Sequence, residues 1–295
     1  MALRTHISER QRRFGAEVRK LRENAELSVK QAGAVVGMGG PQLSHIEAGR
    51  TGLDALRLET LLDSFGCTDA TYRQELLAMG ASNGKGWWTT YRDRVPKLSL
   101  DLAELEERSL VVDDYETFYI PGHLQITEYA EAIYTDAYRS KGWDVGTAVE
   151  FRTERQRILF DEERQFRFVI HEAALQMRFP GAEVMRAQLL HLLRAAERPN
   201  VTIQVLPFTV ERMPPHAGPF LLCDPGSPDL ATIVLDHPSR TEYLGDATSI
   251  ATFRETFSQL SALALPAVDT AREPRAHSSR DSWGIIQHLL YLLQL

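Results

Sequence analysis

The stretch from Leu27 to Arg50, LSVKQAGAVVGMGGPQLSHIEAGR, constrains the fold of this chain most, because it combines two helix starts, a glycine break and two apolar faces in one short run. Ser28 is a good N-cap, whose hydroxyl accepts from an otherwise orphaned backbone N–H, and Ala32, Val35 and Val36 form the inner face of a first helix. Gly37 supplies a left-handed C-cap, where a Cβ would clash, and Met38 packs back as the chain reverses. A second helix opens over Gly39 to Pro41, where the missing proline N–H costs nothing. It holds Leu43 and Ile46 on one apolar side and turns Gln42 and His45 outward. Two short helices joined this way form a helix-turn-helix, and a second helix of this kind is suited to a DNA major groove.

Leu27, Ser28, Ala32, Gly37, Ser44, Ile46, Glu47, Gly49 and Arg50 stand at the spacing of the Cro/repressor-type helix-turn-helix regulators, the XRE family. The chain resembles that family over roughly residues 10 to 80, including a preceding helix with Phe14, Val18 and Leu21 and a following one with Leu58, Leu61 and Leu62. The resemblance implies an all-α, lambda-repressor-like domain that binds double-stranded operator DNA, with Gly40, Pro41, Gln42 and His45 at base-reading positions. Two departures thin the readout: Gly40 and Pro41 carry no donor, and Val29 replaces the glutamine that often grips a phosphate. Gln42 toward adenine and His45 toward guanine remain, each worth about 1–3 kcal/mol of discrimination.

The whole chain carries a net charge of −7, from 33 Lys and Arg against 40 Asp and Glu, which excludes a general nucleic-acid sponge. The first residues are different. Arg4, Arg10, Arg12, Arg13, Arg19, Lys20 and Arg22 face only Glu9 and Glu17, a basic arm and helix able to sit on phosphates. Arg10, Arg12, Arg13, Arg19, Lys30 and Arg50 are the phosphate candidates; the alternative for each is a solvated helix face.

At 295 residues the expected organisation is multidomain. It comprises a helix-turn-helix domain over 1–80, a linker and connecting helix over 81–117, an α+β domain over 118–265, and a flexible spacer with an apolar terminal helix over 266–295. Cys67 and Cys223 lie far apart without CxxC spacing, which argues against a zinc or disulfide framework. The first residues hold no apolar signal-like core, and no run approaches the roughly 18 apolar residues that span a bilayer. The expectation is a cytoplasmic protein with no membrane contact.

From Trp87 to about residue 265 the chain resembles the sensor-like domain that follows this helix-turn-helix in many regulators of filamentous, spore-forming, high-GC bacteria. That domain is known mainly as one of unknown function. The resemblance rests on Trp87, Trp88, Tyr91, Asp93 and Pro96, on Leu105 and Glu106, on the segment Tyr119-Ile-Pro-Gly-His-Leu-Gln125 with Thr127, Tyr129 and Ala130, and on the blocks His171–Leu175 and Arg198–Pro207. It implies a regulator without assigned ligand or chemistry. The residues themselves read as α+β. Helices are expected over 123–165, 182–197 and 246–264, with strands at 166–170, 201–205, 218–223 and 232–236 forming a small, mainly antiparallel sheet.

Catalytic motifs are missing from the reading. His171 and Glu172 begin as a zinc-protease motif would, but Leu175 stands where the second histidine is needed. No P-loop, dinucleotide glycines or G-x-S-x-G elbow occurs, so neither an enzyme, a metal nor a cofactor is expected. A ligand pocket is the better expectation, with Tyr119, Pro121, Gly122 and Gln125 at a turn that opens a helix, and His171 and His216 as further candidates. Two functions stand at this point: a homodimeric DNA-binding regulator whose larger domain senses a small molecule or a small protein encoded nearby, or a protein-interaction module of a toxin–antitoxin-like pair.

Overall fold

The computed structural model describes residues 7–138, 144–216, 218–237, 240–277 and 281–293. The chain divides into two compact units, one formed by residues up to Thr89 together with Pro225–Ala231, the other by Thr90–Asp224 and Thr232 onward.

The first unit is helical: α1 (Glu9–Asn24), α2 (Val29–Val35), α3 (Gly40–Glu47), α4 (Ala55–Ser64) and α5 (Ala70–Ala81). Local sequence explains the starts. Ser8 and Ser28 each form a capping box with a glutamine three residues on, and Asp54 and Asp69 cap α4 and α5. Gly37 takes φ +65°, the left-handed turn between α2 and α3. Phe14, Val18, Ala32, Leu43, Ile46, Leu58, Leu61 and Leu62 share one core, joined by Leu230 from the segment between two later strands. Val35, expected on the inner face of α2, is instead 45% exposed. A two-turn helix presents one inward column, here Ala32 and Val36, and Val35 lies about 100° round from it.

The second unit is a sheet, six-stranded among the described residues, with helices on both faces. In chain order its elements are α6 (Lys97–Glu107), β1 (Val111–Glu116), α7 (Thr127–Tyr138), α8 (Val145–Arg155), β2 (Gln165–His171), α9 (Glu172–Gln176), α10 (Ala182–Ala195), β3 (Val201–Leu206), β4 (Phe220–Asp224), β5 (Thr232–His237), β6 (Arg240–Leu244), α11 (Ala247–Leu263) and α12 (Ser282–Leu292). The strand order is β3-β2-β1-β4-β5-β6.

The sheet corrects the expectation of a small, mainly antiparallel one. β1, β2 and β3 run parallel, because each link between them is long enough to hold helices, whereas β4, β5 and β6 follow by short returns and pair antiparallel. The strand at 111–116, read from sequence as part of a connecting segment, is the junction of the two halves. Adjacent aspartates at 113 and 114 depress strand propensity and hide it. In the fold Asp113 lies in register with Arg167 and pairs with it at 2.5 Å.

Alternation gives the two faces different jobs. Phe166, Phe168 and Ile170 of β2 and Val201, Ile203 and Val205 of β3 pack with Leu189 and Leu192 of α10. The other face carries α11, with Gln204 of β3 bonded to Ser261. The apolar end docks on this same unit: Ile286, Leu289 and Leu290 enter the core, and Ser282 Oγ accepts from the Val205 N–H at 2.9 Å. Residues expected to be a spacer begin as an attached strip, since Leu265 and Val268 donate to the Val205 and Ile203 carbonyls of β3, both at 2.9 Å.

Candidate functional site

The helix-turn-helix is assembled from contacts beneath it. Leu43 and Ile46 are buried, which leaves Pro41, Gln42 and Ser44 exposed and His45 and Gly40 half-exposed on the far side of α3. A buried ion pair holds its end: the Arg22 guanidinium of α1 donates to both Glu47 carboxylate oxygens, at 2.6 and 3.0 Å, and to the Leu27 carbonyl at 2.8 Å. Gln42 has a task that sequence reading missed. Its Oε1 accepts from the Gly39 N–H at 3.0 Å, closing the first turn of α3, and its amide donors remain for another partner.

The phosphate candidates separate into groups. Lys30 and Arg50 are exposed, and neither side chain meets a carboxylate among the described residues. Arg12 and Arg19 are exposed but lie in ion pairs with Glu9 and Glu23 on their own helix. Arg10 donates to the Met79 carbonyl at 2.8 Å. Arg13 is corrected as an available cation: it is 11% exposed, pairs with Glu17, and donates to the carbonyl of Asp229 at 2.9 Å. Arg4 lies outside the described residues.

In the second unit a cavity of about 380 Å³ opens on one face of the sheet's antiparallel half. Asp114 and Glu116 of β1, Leu221 of β4, Val234 and Asp236 of β5, and Thr241 and Tyr243 of β6 line it, all at alternate positions that the register places on one face. Its walls come from α6, the Tyr119–Gln125 turn, α7 and α8.

Two ionic groupings differ sharply within it. Glu106 of α6 accepts two hydrogen bonds from Arg155 of α8, at 2.8 and 2.5 Å, with His123 Nε2 at 3.5 Å. Burial alone would raise the Glu106 pKa, but Arg155 and His123 outweigh it and hold the carboxylate at about 2. Asp114 has no such partner. It is 6% exposed, and burial, reinforced by Glu106, pushes it up to about 7 against the pull of Arg155 and Arg152. Glu116 is also raised well above the usual carboxylate range, by burial and then by Asp114.

A folded pKa above the unfolded one means stability that is present at low pH and lost as pH rises through the interval between them. Asp114→Asn is therefore expected to raise the unfolding midpoint near pH 8, by the equivalent of about 2 kcal/mol, and to change little near pH 4. Thermal melts of the two proteins across that range check this; equal differences at both ends would contradict it.

The sequence candidates are only partly brought together. Tyr119, Gly122 and Gln125 line the cavity. Gln125 bridges the site, its amide donating to the Ile120 carbonyl at 2.7 Å while its oxygen accepts from Arg152 at 3.1 Å. A Cβ on Gly122 would stand 2.5 Å from the Arg152 guanidinium, so the glycine lets that arginine through. Pro121 precedes only a three-residue 3₁₀ turn, Gly122–Leu124, and the long helix starts later at Thr127, which corrects the expected helix start. His171 lies elsewhere, as the N-cap of α9, its Nδ1 accepting from the Ala173 N–H at 3.1 Å. Partial burial lowers its pKa. His216 packs edge-on against Phe220 and Phe253. Sequence reading marked Glu106 only as part of the family resemblance, with no role in a site, and missed Asp114, Glu116, Arg152 and Arg155; the signal it passed over was a pair of carboxylates inside a strand-length apolar run. Among the described residues no group of three His, Cys, Asp or Glu side chains can hold a metal ion, and no helix is long and apolar enough to cross a membrane.

Comparison with known proteins agrees with this division of the chain's chemistry. Residues 13–76 match the family described as Helix-turn-helix domain, and residues 100–273 match the Domain of unknown function (DUF5753). No curated protein and no solved structure matches the chain. The second match covers more than half the length and the first contains α2 and α3 entire, so the chain belongs to the DUF5753 family and carries ahead of that domain the helix-turn-helix of a DNA-binding regulator.

Proposed function

We propose that this protein is a cytoplasmic transcription regulator that binds operator DNA as a homodimer, lays α3 in the major groove, and uses the cavity-bearing unit to sense a small molecule. The observation that carries the DNA reading is the asymmetry of α3: Leu43 and Ile46 are wholly inside, while Pro41, Gln42 and Ser44 are exposed. Gln42 and His45 are the base-reading side chains. Lys30 and Arg50, with Arg12 and Arg19 after release of their glutamates, are the phosphate contacts. Two-fold symmetry predicts paired half-sites about one helical turn apart. No catalytic step is assigned to either unit.

Gel shifts on DNA from upstream of the gene test this. Because Gln42 also closes the first turn of α3, the informative change is Gln42→Glu, which keeps the accepting oxygen and removes the donor. Gln42→Glu and His45→Ala are each expected to weaken the specific complex by about tenfold or more, in line with about 1–3 kcal/mol per contact, and to move random-sequence binding far less. Lys30→Ala and Arg50→Ala are expected to weaken both alike and to lower the salt slope by about 1 each. Equal losses on specific and random DNA for the Gln42 and His45 variants would remove base reading. The rival reading, a protein-interaction module with a lost DNA role, rests on Gly40 and Pro41 offering no base contact; it gains support if no sequence-specific shift occurs while a small protein encoded beside the gene is retained in a pull-down.

A further inference from the structure

The cavity combines excess negative charge with an apolar lining. Glu106, Asp114, Glu116 and Asp236 contribute carboxylates and Arg152 and Arg155 the guanidiniums. Arg155 is consumed by Glu106. Arg152 is tied down by neutral groups, its Nε donating to the Tyr134 hydroxyl at 2.9 Å and its Nη1 to Gln125, with its guanidinium carbon 5.3 Å from the Tyr134 ring centre. Asp114 and Glu116 are left without an ion-pair partner among the described residues.

One further observation points to a missing guest. The Asp114 carboxylate, nine-tenths buried, meets no hydrogen-bond donor among the described residues, although a buried charge without a partner is costly. On the cavity wall, the buried His123 Nε2 lies 3.5 Å from the Glu106 carboxylate and so belongs to the Glu106–Arg155 group, leaving Asp114 and Glu116 as the groups open to a guest. An anion would have to enter beside two unpaired carboxylates. A bare metal ion finds no group of three converging His, Cys, Asp or Glu ligands among the described residues. A molecule with a positively charged N–H group satisfies both carboxylates by charge-assisted hydrogen bonds, and the aromatic faces of Tyr119 and Tyr243 suit its cation and its hydrocarbon portion.

We propose that this cavity binds a small organic amine, its protonated nitrogen held between Asp114 and Glu116 and its carbon skeleton against the aromatic wall. The assignment rests on the reading of the cavity as a sensing site and names the class of molecule sensed. The volume, near the low end for ligand pockets, suits a compact metabolite-sized amine.

The test uses the full chain, with thermal shift and titration calorimetry against phenethylamine, tyramine and putrescine. Phenethyl alcohol serves as the neutral match, phenylacetate as the anionic one and magnesium chloride as the bare cation. At millimolar concentration at least one amine is expected to bind and raise the midpoint, while the alcohol and phenylacetate do not. Asp114→Asn and Glu116→Gln are each expected to weaken that amine by about tenfold or more. Asp114→Asn is expected to melt no lower than the parent, and its own melting curve, run alongside, separates loss of binding from loss of folding. The proposal is overturned if none of the amines binds, if the alcohol or the carboxylate binds as tightly, if both variants bind the amine unchanged, or if magnesium alone gives the Asp114-dependent shift. A gel shift on the upstream DNA with the same preparation separates the two claims: DNA binding without amine binding sinks only this assignment, and amine binding without DNA binding sinks the regulator reading.

Discussion

Glu106→Gln is expected to destabilise the sheet unit by about 3–5 kcal/mol, the loss that follows when one member of a buried ion pair is removed and the other stays charged in the interior. For a unit of this size that is a fall of roughly 10 °C in the unfolding midpoint. Glu106 is 1% exposed, and Arg155, itself buried, directs two donors at it. The glutamine matches the carboxylate in shape but cannot neutralise the arginine. A second change identifies the cause: Arg155→Met added to Glu106→Gln is expected to restore most of the loss, since a neutral buried pair leaves no stranded charge. The wild-type pH profile gives an independent check with a definite sign. A carboxylate held at about 2 contributes stability that is complete above its unfolded pKa, near 4.5, and disappears as pH falls from there toward 2. A Glu106→Gln loss below about 1 kcal/mol, or a double variant no better than the single, would show that the pair adds nothing.

Gly15→Ala is expected to abolish specific DNA binding while leaving the sheet unit folded. In isolation the change should help, because alanine is favoured over glycine in a helix interior by about 1 kcal/mol. The fold reverses the sign. A Cβ at position 15 of α1 would lie 2.4 Å from the Glu47 carbonyl oxygen and 2.6 Å from that of Ile46, at the end of α3. Those atoms are backbone and cannot rotate away, so α1 and α3 must separate. Overpacking of this kind costs about 1–3 kcal/mol, which cancels or exceeds the propensity gain. The separation also pulls on the Arg22–Glu47 pair that fixes α3. Gel shifts and hydrogen exchange over residues 9–81 measure the effect; unchanged operator affinity would mean that the helices accommodate the methyl group without moving the reading face.

Legibility from sequence followed the range of the interactions. The cap at Ser28, the left-handed turn at Gly37 and the buried column of Leu43 and Ile46 involve neighbours only a few residues away, and each is found in the structure as read. Even there details escaped the reading: Val35 turned outward on a helix with one inward column, Gln42 closed the first turn of its own helix, and Arg13 was drawn to backbone carbonyls far along the chain.

By itself the amino-acid sequence determined the helix-turn-helix, because helix starts, a glycine turn and a 3.6-residue apolar rhythm are local properties that survive without knowledge of the rest of the chain. It also carried the α+β character of the larger part. Only the tertiary structure decided that β1 is a central strand, that the sheet is mixed, and that a cavity lies on one face of it. The reason is that Asp113 and Asp114 oppose strand formation locally and are tolerated only where Arg167 stands in register and a cavity opens beside them. Glu106, Asp114, Arg155 and Asp236 come together from separate elements, and no spacing along the chain encodes that meeting.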